Sequence, residues 1–195
     1  MIRTVFRHGG VFALACASTT VRTQNTSPAV EQRRDSVATA VIPPTGGSVV
    51  LKGFVTVNFP AGAFAVSQPV TVAAKHSQEM RERFAVAAAD PQVPPLRHQI
   101  YITTGRVQPA ADCEVAITLP QGFLDSIPPG HVPSVWALEL TGGPMEHLDE
   151  FEPFPSVYDP ATKVVRAKLP RQVFDDGRRA DGLYEAVLMI GSVPE

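Results

Sequence analysis

The sequence predicts an all-β protein, a mainly antiparallel β-sandwich of about nine to ten strands with one or two short helices. Three observations carry this expectation. From residue 48 onward, apolar and polar residues alternate over short spans, the two-residue period of half-buried strands. Proline makes up 19 of 195 residues, roughly twice its average usage, and most prolines stand between apolar runs, where they punctuate elements. Three of those runs, "TVNFP", "AITLP" and "RAKLP", end in an apolar residue followed by proline. Proline cannot donate to a ladder, so it suits the point where a strand leaves its sheet.

Taken in order, the alternating runs 49–51 and 54–59 flank a turn at Lys52-Gly53, and further runs follow at 70–72, 100–102, 115–119, 135–140, 164–169 and 184–190. Turn chemistry recurs between them in "TGGP", "YDPATK" and "DDGRRADG". Two segments read as helical. "SQEMRERFAVAAAD", residues 77–90, is rich in helix formers and stops before Pro91, and "QGFLDSI" suits a single turn before Pro128. The proline stops are unequally spaced, against a solenoid repeat. One sandwich domain over residues 40–195 is the economical division; a body of that size buries roughly two-thirds of its unfolded surface.

The residues before it read differently. "MIRTVFRHGGVFALACAST" starts with Arg3 and Arg7, continues into an apolar run and ends in small residues. That is the order of a secretory signal, here residues 1–15, with an A-x-A-like site at Ala13-Leu14-Ala15. Residues 16–39 are polar and read as a flexible tether. "ALAC" resembles a bacterial lipobox, which would place acylation on Cys16, although Ala13 and Leu14 stand in the reverse of the preferred order. The expected location is therefore extracytoplasmic, either membrane-tethered through Cys16 or secreted. Cys16 and Cys113 are too far apart, and too few, for a disulfide framework. The formal net charge of −2 and the lack of any block of like charges argue against nucleic acid as a partner. No apolar run approaches the length that spans a bilayer.

The stretch "GGSVVLKGFVTVNFPAGAF", residues 46–64, tests whether paired glycines cradle a phosphate. A dinucleotide fingerprint or phosphate loop needs strand, glycines and then helix. Here the glycines precede a strand and no helix opens after them, so the expectation is architecture. Gly62 suits a backbone conformation that a β-carbon resists. With "PVTVAA" downstream, this stretch resembles the opening of the ZU-five domain, the β-sandwich module of ankyrins, netrin receptors and tight-junction scaffolds. The matching positions are Gly46, Gly47, Pro60, Gly62 and Ala63. A second block, "IYITTGRVQPAADCEVAITLP", resembles the family's later segment, and the two blocks cover residues 45–120 in the right order. The resemblance implies a structural or protein-interaction module without catalysis, whose partner is an unknown protein or envelope component. Self-cleaving relatives use a His-Phe-Ser triplet; His131 and Ser134 in "HVPS" are mis-spaced for it. Binding surfaces differ between members, so no binding residue carries over.

Chemistry sought in the residues themselves is sparse. His76, His98, His131 and His147 are scattered without metal-ligand spacing, and no G-x-S-x-G elbow is present. "EHLDEFE", residues 146–152, is the densest acidic cluster and reads as a solvated loop, with calcium binding as the alternative. Asp175, Asp176 and Asp181 in "DDGRRAD" read as a turn. Trp136, Tyr101, Tyr158 and Tyr184 offer a sugar-stacking platform, against which one tryptophan within "VWALEL" is more often core. Paired carboxylates for glycoside hydrolysis cannot be placed from sequence. The expectation is a non-enzymatic exported module with no cofactor or metal, and a carbohydrate- or calcium-binding sandwich as the rival.

Overall fold

Alternation, turn glycines and proline stops resolve into two sheets. The computed structural model describes residues 36–51, 53–75, 97–139, 150–176 and 179–195. Eleven strands are seen there: β1 Ser36–Ile42, β2 Gly47–Leu51, β3 Val55–Phe59, β4 Gln68–Lys75, β5 Arg97–Thr103, β6 Cys113–Thr118, β7 His131–Glu139, β8 Glu150–Phe154, β9 Ser156–Asp159, β10 Val164–Leu169 and β11 Glu185–Pro194. Two short helices join them, α1 Gln121–Leu124 and α2 Gln172–Asp176. A six-stranded sheet runs β1-β4-β5-β11-β7-β8 and a five-stranded sheet runs β2-β3-β6-β10-β9. Every neighbouring pair is antiparallel. The chain is an all-β sandwich.

The strands form where the pattern places them, and each proline stop falls just outside its strand. Phe59 ends β3 before Pro60, Thr118 ends β6 ahead of Leu119-Pro120, and Leu169 ends β10 before Pro170. The core lies between the sheets. Val70, Val72, Ile100, Ile102, Leu188 and Ile190 come from one sheet, and Val55, Val57, Val115, Ile117, Val165 and Leu169 from the other. Both helices plug the sandwich, α1 through Phe123 and α2 through Val173 and Phe174. Cys113 sits in the same core beside the strands that flank it, as a small apolar residue does.

β11 holds the centre. This ten-residue strand is buried over its first eight positions. It pairs with β5 on one side and β7 on the other, although it comes last in chain order.

The architecture departs from the sequence expectation in four places. Among the described residues there are eleven strands because β1, β8 and β9 join the set. β1 starts at Ser36, so the last four residues read as tether are sheet, paired Ser36↔Ala74 through Thr39↔Thr71 with β4. Glu150 and Glu152 of the acidic stretch lie in the edge strand β8 rather than in a loop, where Pro153 is tolerated because one side of an edge strand has no ladder to complete. Asp175 and Asp176 end the helix α2 rather than forming a turn. The helix expected over 77–90, the "TGGP" turn, the signal segment and Cys16 lie outside the described residues.

Candidate functional site

The glycine motif forms a structural unit at one end of the sandwich. Pro43 to Gly46 make a turn closed by the Gly46 N–H donating to the Pro43 carbonyl at 2.9 Å. Pro60 to Ala63 make a second, closed by the Ala63 N–H on the Pro60 carbonyl at 3.1 Å. The Gly62 N–H then donates to the Pro44 carbonyl at 2.8 Å and ties the two turns together. Gly62 takes φ +80° at the third position of its turn, the requirement of a type II turn. Gly46 takes φ +86°, and a β-carbon there would lie 2.7 Å from the Phe59 carbonyl oxygen and 2.8 Å from the Ala61 nitrogen. Gly47 begins β2. No described helix opens after these glycines, and the Gly46 and Gly62 amides are used on the chain's own carbonyls. Pro60 starts the second turn and Ala63 is buried below it.

The turn unit borders an open cleft of about 800 Å³ lined by Asn58, Phe59, Pro60, Asp112, Glu114 and Lys168 among others. Three of these stand side by side on the outer face of the five-stranded sheet, in the register row Asn58↔Glu114↔Lys168. Asp112 anchors the row's end. Its Oδ1 accepts the Arg171 backbone N–H at 3.1 Å and its Oδ2 pairs with Lys168 Nζ at 3.3 Å. The Arg171 amide first, and then Lys168, hold the Asp112 carboxyl below the usual range. Cys113 borders the cleft, but its side chain packs inward, and burial pushes the thiol up to about 12. It is no nucleophile at neutral pH.

The next row on that outer face is Val50↔Thr56↔Ala116↔Arg166↔Val157. Val50 is 54% exposed and Val157 72% exposed. The five-stranded sheet thus offers water a broad, mixed surface, apolar at both edges with a guanidinium between. Beyond it, Asp159 caps the β9–β10 hairpin. It accepts from Thr162 Oγ1 at 2.6 Å and the Ala161 N–H at 3.0 Å, both of which lower its pKa.

The remaining candidates do not assemble. Among the described residues, no group of three or more His, Cys, Asp or Glu side chains could hold a metal. His131 Nδ1 lies 3.4 Å from Ser192 Oγ, and Ser192 is buried. Ser134 points away to the β8–β9 crossover, donating to the Phe154 carbonyl and the Ser156 hydroxyl at 3.3 Å each. Asp181 pairs with Arg179 at 3.2 Å and accepts the Leu183 N–H. His76, His147 and Asp149 lie outside the described residues. The aromatic side chains do not line one platform. Tyr158 and Tyr184 pack on the inter-sheet core, while Trp136 and Tyr101 stand on the outer face of the six-stranded sheet. Trp136 is buried, yet outside the core between the sheets, and its indole N–H has no hydrogen-bond partner among the described residues.

No family model and no curated protein matches the chain. Sequence reasoning found the glycine unit through its turn dipeptides. It missed the two outer-face rows, because sharing a row depends on long-range register; the only local signal was the polar phase of "TVN", "CEVAIT" and "VVRAKL".

Proposed function

We propose that this chain is a non-enzymatic, extracytoplasmic interaction module of the ZU-five-like kind, which contacts a protein or envelope component through the outer face of its five-stranded sheet. The observation that supports it is the exposure of Val50 and Val157 at the two edges of a sheet face that carries Arg166 next to Val157. Exposed aliphatic side chains and an arginine on one sheet face fit the mixed composition of a non-obligate contact surface. The architecture fits an interaction sandwich, and the signal-like leader with Cys16 motivates export and a lipid anchor. Among the described residues, no helix is long and apolar enough to cross a membrane.

Proximity labelling in the native cell tests this reading, with wild type compared to Val50→Glu/Val157→Glu. Both positions are exposed, so the double variant should keep its melting temperature. A labelled set that the double variant loses supports the surface; an identical set from both removes it. Fractionation tests the anchor. Cys16→Ser should shift the protein out of the membrane fraction, and a wild type already free of added lipid mass rules the anchor out.

A further inference from the structure

The edge strands at the two sides of the sandwich are built differently. At one side, β8 carries Glu150, Glu152 and Pro153, and β9 has four residues and runs into Pro160. Charge, proline and shortness are the devices that keep a sheet edge from pairing with another chain. The opposite side is formed by β1 and β2, joined by the Pro43–Gly46 turn. None of the sixteen residues from Ser36 to Leu51 is charged, in a chain that is 18% charged, and its prolines lie in the turn. This side is therefore bare of those devices. β1 is the longer of its two strands, with seven residues, and among the described strands it pairs only with β4. Val37 and Val41 stand outward at 61% and 64% exposure, and Thr39 between them is exposed as well.

We propose that β1 pairs antiparallel with β1 of a second copy of this chain, about a two-fold axis at Thr39. Residues 37–41 read Val-Ala-Thr-Ala-Val, the same in both directions. The axis therefore sets Val37 opposite Val41 of the partner subunit, Ala38 opposite the partner's Ala40, and Thr39 opposite the partner's Thr39. A closed two-fold contact has to be self-complementary in this way. Valine and threonine pairs across a ladder stabilise it, and here no like charges meet. A slip of one residue would turn outward valines against inward alanines, so the register is fixed. Within the molecule, Thr39 Oγ1 lies 3.0 Å from Thr71 Oγ1, its neighbour in the row Thr39↔Thr71↔Thr103. A hydroxyl has one donor and two acceptor sites, so Thr39 keeps capacity for the partner's Thr39. The axis stands perpendicular to the sheet, so the two larger sheets become one and the β2 edges of the smaller sheets approach. A seven-residue strand is about 24 Å long and a two-layered edge about 20 Å deep, about 1,000 Å² over both copies, where specific interfaces begin. Such a dimer forms with concentration rather than permanently. The edge is distinct from the outer face proposed above, and neither reading rests on the other.

Position 39 meets itself across the axis, and that gives the test its form. In the full chain carrying Cys16→Ser, sedimentation should show self-association that rises with concentration. Thr39→Lys and Thr39→Glu each oppose their own charge. Either should weaken association tenfold or more at an unchanged melting temperature, and an equimolar mixture of the two should associate again. Should a charged variant unfold, cysteines decide independently, because Cys113 is buried. Thr39→Cys should cross-link between two molecules under mild oxidation, since facing Cα atoms in a ladder stand about 4.5–5.5 Å apart. Val37→Cys and Val41→Cys should cross-link when mixed, and neither by itself. A chain that stays monomeric at millimolar concentration, or association that both charged variants keep, would overturn the proposal. So would the lack of a cross-link at 39, or cross-linking of Val37→Cys to itself. With Cys16 retained, its capture of the thiol at 39 within one molecule would put the leader on this edge and equally overturn it.

Discussion

Gly46, Gly47 and Gly62 stand within seventeen positions of one another and ask three different things of the backbone. At Gly62 a β-carbon meets nothing within 4 Å, so Gly62→Ala costs only the left-handed conformation, about 1–2 kcal/mol. Gly46→Ala carries the same strain and also drives a methyl group against the Phe59 carbonyl, so its loss of stability should exceed that of Gly62→Ala. Gly47 has ordinary neighbours, Ile42 Cδ1 at 3.5 Å from a β-carbon, and Gly47→Ala should be neutral. Urea melts should show the largest loss for Gly46→Ala, a smaller one for Gly62→Ala and none for Gly47→Ala; equal losses at 46 and 62 would show that the turn unit does not depend on close approach at Gly46. Cys113 makes a second residue-scale prediction. The folded thiol titrates at about 12 and an unfolded one at about 8.5. Between those values the folded chain keeps a proton the unfolded chain has lost, so the thiol's contribution to stability falls as pH rises through that window. Cys113→Ala should flatten the decline in stability from pH 8.5 to 10, whereas parallel declines would mean the thiol is not buried. The need for glycine at position 62 was readable from "FPAGAF"; the reason for Gly46 was not, because the atoms it meets belong to a turn fourteen residues away.

At the scale of elements, helix α2 shows how little its own sequence decides. Five residues are too few for a stable helix in water. It is held by Phe174, fully buried with its ring 6.5 Å from that of Phe59. Phe174→Ala should cost about 3–5 kcal/mol, and Asp175→Ala, on the exposed side, under about 0.5. Comparable losses from both would mean that the helix, rather than its plug, supplies the stability. The same contrast explains which elements the sequence revealed. β6 and β10 alternate cleanly because one face is core and the other water, with inward Val115, Ile117, Val165 and Leu169. β1 alternates in reverse: its valines point outward and Ala38 and Ala40 pack inward, so the apolar phase carries no information about burial. β8 mixes two acids and a proline with its two phenylalanines, and β9 is only four residues long. Each of these three exists because a neighbouring strand offers it a ladder.

For the whole molecule, the two sheets carry different outer surfaces. The five-stranded sheet faces water with the Val50 to Val157 row, while the centre of the six-stranded sheet is buried on both sides. That difference could be anticipated only in part. A strand buried on both faces reads as a continuous apolar run, and "EAVLMIG" in β11 has that form, against the alternation of β6. Which strands lie beside β11 is a matter of topology and is absent from local pattern. The candidate contact face has the same origin: Val50 and Val157 are more than a hundred positions apart in the chain and share one row.

The central place of β11 also governs the order in which the protein can take shape as it emerges. The five-stranded sheet has all its strands once Leu169 is present. The six-stranded sheet has none of its middle until residues 185–194 arrive, and before then β5 and β7 have no strand through which to meet. A chain appearing from its N-terminus therefore has every strand of one sheet while the other remains two separate pieces, three strands in β1-β4-β5 and two in β7-β8. Cutting after Tyr184 should abolish cooperative melting rather than trim an edge; a cooperative transition in that truncated chain would show that the two pieces close without their centre. β11 is thus the clasp of the larger sheet: the one strand whose arrival turns two unconnected pieces into a continuous surface.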